Sequence, residues 1–161
     1  NVLGLDMGMF YKRRDYTKIV NGRNPIVAHE FLGTSVEGKD MIIIDDMISS
    51  GESMLEVAAA LKERKANKIF VFSTFGLFTN GLDKFDKAYE NGIIDKVLTT
   101  NLIYQTPELL QRVWYINCDM SKYIALIIVT LNHDQSVSHL LNPVDRIKRC
   151  VNNYMAQYDE K

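Results

Sequence analysis

Residues 41–55, MIIIDDMISSGESML, constrain this chain more than any other stretch. The run Met41-Ile42-Ile43-Ile44 is aliphatic throughout, with no polar alternation. Such a run predicts a strand covered on both faces in a parallel sheet. Asp45 and Asp46 follow at its carboxyl end, where open α/β sheets bind their ligands. Ser49, Ser50, Gly51, Glu52 and Ser53 then turn the chain into a helix predicted over 54–64, with apolar Leu55, Ala58, Ala59 and Leu61. A helix N-terminus presents N–H groups and the positive end of its dipole, which suits a phosphate. Two carboxylates beside such a cradle predict a ligand with phosphate at one end and hydroxyls or Mg²⁺ at the other. A plainer reading makes the acids a strand end and Ser49 and Ser50 a helix cap. It fits less well, because the acids directly follow an all-aliphatic strand and one cap does not need three hydroxyls and a glycine.

The rest of the chain repeats the alternation of strand and helix. Residues 1–7 and 26–32 read as strands, and 67–74 (NKIFVFST) as a second buried strand. Residues 82–91 carry Leu82, Phe85, Ala88 and Tyr89 at helical spacing, and Asn91-Gly92 stops them. Short strands are predicted at 96–99 and 113–117. Thr106 with Pro107, and Asn142 with Pro143, are helix starts, the last helix running to about Tyr158. Asp119 or Ser121 caps an apolar helix reaching about Asn132. This order predicts an α/β fold, a doubly wound, mostly parallel sheet flanked by helices, in one domain over 1–161. Residues 8–25 hold Lys12, Arg13, Arg14, Lys18 and Arg23 without periodicity, which predicts a mobile basic loop.

Composition excludes some functions. With 161 residues, 47% hydrophobic, the chain can bury a real core. A net charge of −1 gives no bulk attraction to nucleic acid or anionic membrane. The longest aliphatic stretch, 123–131, is too short to span a bilayer, and no signal peptide is seen. Cys118 and Cys150 make neither a disulfide framework nor a metal pattern, which points to a reducing cytoplasm. His29, His133 and His139 are scattered, so no metal cluster is expected. Trp114 is expected in the core.

The 41–55 stretch resembles the phosphoribosyl-diphosphate (PRPP) motif of the type I phosphoribosyltransferase fold. Within that superfamily it is most similar to the ribose-phosphate pyrophosphokinases. Lys12-Arg13-Arg14 resembles that family's mobile catalytic KRR segment, and Gly38-Lys39-Asp40 leads into its DDMI strand. Ala60-Leu61-Lys62-Glu63-Arg64 matches its ALKER helix end, Ser73-Thr74-Phe75-Gly76 its strand ending in Thr-His-Gly, and Ser136-Val137-Ser138 its C-terminal SVS. The resemblance implies transfer of the diphosphate of ATP to ribose 5-phosphate, giving PRPP and AMP. It implies that Lys12 and Arg14 close over the diphosphate. Asp45 and Asp46 would meet the ribose hydroxyls, directly or through Mg²⁺. Ser49, Ser50, Gly51, Glu52 and Ser53 would form the 5-phosphate loop. It also implies a homo-oligomer, and an N-terminal half with much of the ATP site that these residues do not include. The loop departs from the family's Asp-Thr-(Ala or Gly)-Gly-Thr at Ser49 and Glu52, the latter placing a carboxylate beside the phosphate seat. Phe75 replaces the usual histidine. Two alternatives stand beside this reading: a phosphoribosyltransferase that consumes PRPP, and a non-catalytic regulatory subunit of the synthetase type.

Overall fold

The computed structural model describes residues 2–14 and 26–159. The chain divides into two compact units, Met7–Met120 and Asn1–Asp6 with Ser121–Lys161. The larger unit opens with two antiparallel strands, β1 (Met9–Arg14) and β2 (Ile26–Leu32), in register from Met9 against Leu32 to Arg14 against Ile26, with an irregularity between Arg13 and Arg14. This corrects two expectations. No strand forms over residues 2–8, and residues 9–14 are a strand and not part of a mobile loop. Residues 15–25 of that expected loop lie outside the described residues. The physical reason is cross-strand pairing: Phe10 stands directly opposite Phe31, their ring centroids 5.1 Å apart, and both pack against the core. Gly8 and Gly33 have no Cβ because the Phe31 ring fills the space, 2.4 and 2.9 Å from where each would lie.

The second sheet is four-stranded and wholly parallel. It runs β3 (Met41–Ile48), β4 (Ile69–Gly76), β5 (Lys96–Thr100), β6 (Tyr115–Cys118), in that order. Helices α1 (Glu52–Glu63), α2 (Asp83–Glu90) and α3 (Pro107–Leu110) lie in the connections, as parallel strands require. The expected α/β fold, a parallel sheet flanked by helices, is therefore formed. Thr106 caps α3 as expected, its Oγ1 accepting from the Leu109 amide at 3.2 Å.

The core lies between the helices and alternate strand residues. Ile69, Val71 and Val97 are fully buried with Ala58 and Leu61 of α1 and Phe85 and Ala88 of α2. Phe85 stacks on Trp114 at 5.4 Å and meets Phe78 edge-on at 5.0 Å. Trp114 is buried, as expected, and its indole N–H donates to Asp86 Oδ1 at 2.7 Å. Arg112 pairs with the same carboxylate at 3.0 Å.

The expectation that residues 41–44 are covered on both faces is not met. Ile42 is 46% and Ile44 81% exposed. The strand is at the sheet's edge, and α1 to α3 share one buried cluster with the opposite parity of strand residues.

The smaller unit contains α4 (Ser121–Asn132), α5 (Ser138–Leu141) and α6 (Val144–Asp159). Tyr123 OH donates to the Leu140 carbonyl at 2.8 Å, and Arg146 lies over the Tyr123 ring at 5.2 Å. Asn142 Oδ1 accepts from the Val144 amide at 3.1 Å, so the predicted cap at the last helix is present. No helix among the described residues is long and apolar enough to cross a membrane.

Because Phe85 is fully buried between an aromatic cluster and a glycine, Phe85→Ala should cost about 3–5 kcal/mol. Urea unfolding monitored by Trp114 fluorescence measures this, and a loss under about 1 kcal/mol would contradict the packing role assigned to the ring.

Candidate phosphate-ligand site

The strand β3 is longer than its aliphatic run. It continues through Asp45 and Asp46 to Ile48, so the acids sit within the strand and not after it. Both are exposed, and the Asp46 amide donates to Asp45 Oδ1 at 2.9 Å. The helix α1 begins at Glu52, two residues before the position expected from periodicity. The turn between them is therefore only Ser49, Ser50 and Gly51.

Gly51 is the N-cap of α1 and supplies no side-chain cap. Its carbonyl accepts the first helical bond, from Leu55, at 2.9 Å. Ser50 Oγ lies 3.5 Å from the Glu52 amide, at the limit of a hydrogen bond. The plain capping role for the serines is thus weakly filled. Gly51 is required twice over. Its φ is +78°, and a Cβ would lie 2.2 Å from the Phe85 ring. A second loop clamps the first: the Leu77 amide donates to the Ile48 carbonyl at 2.8 Å and the Thr79 amide to the Ser49 carbonyl at 3.0 Å.

Glu52 falls in the first turn of α1, where a carboxylate is favoured by the helix dipole. Its carboxylate is bound by the Nζ of Lys84, from the first turn of α2. The Lys84 hydrogen bond, with its charge, holds the Glu52 carboxyl below the usual carboxylate range. Lys84 was not foreseen from the sequence. It lies 32 residues from Glu52, and nothing in the local pattern of α2 signals the pairing.

The parallel register adds a polar band. Asp45 pairs with Ser73, Ser73 with Thr99, and Thr99 with Asn117, so one polar residue from each strand lies in a row near the carboxyl ends. Thr99 Oγ1 and Tyr115 OH are hydrogen-bonded at 2.7 Å, and Gln105 Nε2 donates to Tyr115 OH and, at 3.1 Å, to Asn117 Oδ1. Burial pushes the Tyr115 phenol pKa up against the opposing Thr99 bond, and burial likewise raises the Cys118 thiol. The row was legible only as a composition of strand ends; pairing was needed to align it.

Asp45, Asp46, Ser49, Ser50, Gly51, Glu52 and Ser53 thus lie along one continuous strand, turn and helix start. Lys12 and Arg14 are on the separate two-stranded sheet, opposite His29 and Ile26. Phe75, in the histidine's place, is 37% exposed at the end of β4 and pairs with Met47. Ser136 and Ser138 of the SVS segment bond to each other at 2.9 Å at the start of α5. Among the described residues no group of three or more His, Cys, Asp or Glu could enclose a metal ion.

Residues 19–142 match the family model described as the phosphoribosyl synthetase-associated domain. Among curated proteins, the chain is 31% identical to a ribose-phosphate pyrophosphokinase of Shewanella oneidensis, over 85% of this chain and 40% of the relative. It is 29% identical to that of Vibrio parahaemolyticus, over 86% of this chain and 41% of the relative. It is 34% identical to the human phosphoribosyl pyrophosphate synthase-associated protein 2, over 68% of this chain and 29% of the relative. The chain therefore spans well under half the length of these relatives. The crystal structure of phosphoribosylpyrophosphate synthetase from Mycobacterium smegmatis superposes with a TM-score of 0.58 at 20% identity, over 66% of this chain and 34% of that one. That likeness supports the fold. The match over 19–142 and the strand–turn–helix described above place the chain in the phosphoribosyl synthetase-associated domain family.

Proposed function

We propose that this chain carries the ribose 5-phosphate site of a ribose-phosphate pyrophosphokinase. The observation that carries the reading is the glycine-capped turn 49–51, which opens α1 immediately after a strand bearing two exposed acids, in a chain of this family. In the reaction, the 1-hydroxyl oxygen of ribose 5-phosphate attacks the β-phosphorus of ATP. The bond from that phosphorus to the α–β bridging oxygen breaks, AMP leaves, and the hydroxyl proton passes to solvent.

The chain's part is positioning and charge. The turn and the first N–H groups of α1 would seat the 5-phosphate, with Ser49, Ser50 and Ser53 beside them. Asp45 and Asp46 would accept from the ribose hydroxyls and fix the ring, so that the 1-hydroxyl points away from the phosphate seat. Lys12 and Arg14 would neutralise the diphosphate as it transfers. An exposed carboxylate such as Asp45 or Asp46 also suits Mg²⁺, which can take a single carboxylate and complete its shell with water and substrate oxygens. When bound, that ion would supply charge neutralisation at the diphosphate. ATP, a cytoplasmic location and a homo-oligomer belong to the same proposal.

Glu52 at the first position of α1, beside the turn, and the similarity to a synthase-associated protein favour a second reading, a subunit that binds ribose 5-phosphate without turnover.

Ribose 5-phosphate-dependent AMP release from ATP and Mg²⁺ by the full-length protein tests the first reading. The Lys12→Ala, Arg14→Ala double variant should lower it by about 100-fold or more. A raised melting temperature with ribose 5-phosphate but no AMP release would select the binding subunit. Separately, Asp45→Asn with Asp46→Asn should weaken ribose 5-phosphate more than inorganic phosphate. Equal weakening of both would remove the acids from the ribose end of the site.

A further inference from the structure

Resting on the ribose 5-phosphate reading, the Glu52–Lys84 contact identifies a residue that this chain's turn needs. A helix N-terminus that seats a dianionic phosphate should not present a bare carboxylate beside it. Here Glu52 is the first residue of α1, next to Ser50 and Gly51. Its carboxylate is held by the Lys84 ammonium from another helix.

The position of Lys84 is not left to chance. Its neighbour Phe85 is fully buried, with its ring pressed on Gly51 of the turn itself. The chain leading into α2 is bonded to the turn through the Thr79 amide and the Ser49 carbonyl at 3.0 Å. Lys84 is therefore tied to the turn at two points close to it in sequence. As a stabilising contact the pair has little to offer: the two side chains are 50% and 56% exposed, and ion pairs in such settings contribute almost nothing to folding. A contact so placed, and so weak for the fold, makes sense as local charge control.

We propose that Lys84 is a positioning residue for the phosphate seat, acting through Glu52. It cancels the carboxylate's charge and holds it to the α2 side of the turn, so that a phosphate monoester can approach α1. Lys84 need not touch the ligand. It is needed only while Glu52 is present.

A double-mutant cycle that neutralises each charge, on the full-length protein, tests this, with ribose 5-phosphate and phosphate-free ribose titrated by calorimetry. The Lys84→Ala variant should bind ribose 5-phosphate about tenfold more weakly, and raised salt should shrink the loss. Its response to ribose should not change. Adding Glu52→Gln to Lys84→Ala should restore the wild-type affinity, which a merely structural role for Lys84 would not allow. The proposal is overturned if Lys84→Ala binds as wild type, or if the double variant stays as weak as Lys84→Ala, which would make Lys84 a direct ligand contact or a structural support. Wild-type protein that fails to bind ribose 5-phosphate at all would bring down the underlying reading of the site, and is seen in its own arm before any variant is compared.

Discussion

The contact between Phe85 and Gly51 organises the larger unit. The ring occupies the space that any side chain at 51 would need, and Gly51 sits at φ +78°, a conformation that L side chains rarely adopt. From that contact the packing continues through Phe78 and Trp114, and through the indole N–H to Asp86 and Arg112. The turn after β3 is thereby part of the core, although its serines face outward. Disturbing the aromatic cluster would disturb the turn, because the two share one surface. The Thr79–Ser49 and Leu77–Ile48 bonds add a second restraint from the next connection.

The parallel register decides what lies around that turn. Alignment of Asp45, Ser73, Thr99 and Asn117 concentrates polar groups toward one end of the sheet, while Ile69, Val71 and Val97 fill the middle. Buried Thr99 is acceptable there because Tyr115 satisfies its hydroxyl, and Gln105 ties Tyr115 to Asn117. The sheet thus separates an apolar interior from a hydrogen-bonded carboxyl end. The latter is where α/β folds place ligands.

Local signals were readable where short-range physics sets the outcome. The Thr106–Pro107 and Asn142–Pro143 helix starts are capped as their residues imply. The strand–turn–helix around 41–55 formed, as did the alternation that follows it. Boundaries that depend on a partner were not readable. β3 runs on through both acids because β4 pairs with it as far as Ile48 against Gly76, whereas hydropathy ends at Ile44. β2 formed over residues 26–32 as expected, but β1 and its pairing with β2 were missed because the stabilising pair, Phe10 and Phe31, is separated by a long basic stretch without periodicity. The exposure of Ile42 and Ile44 follows from the core forming on the other parity of strand residues, Ile43, Val71 and Val97, and an aliphatic run is the same string whether one face or both are covered.

The amino-acid sequence by itself determined the fold class, the order of strands and helices from β2 onward, and the seven residues 45, 46 and 49–53 as a candidate site. These rest on hydropathy, turn chemistry and motif, all of which act over a few residues. Tertiary structure alone decided that Gly51 is pinned by Phe85, that four polar strand residues align, and that Glu52 is answered by Lys84. Those facts arise from register and packing between segments dozens of residues apart, and no local pattern encodes which distant side chain will arrive.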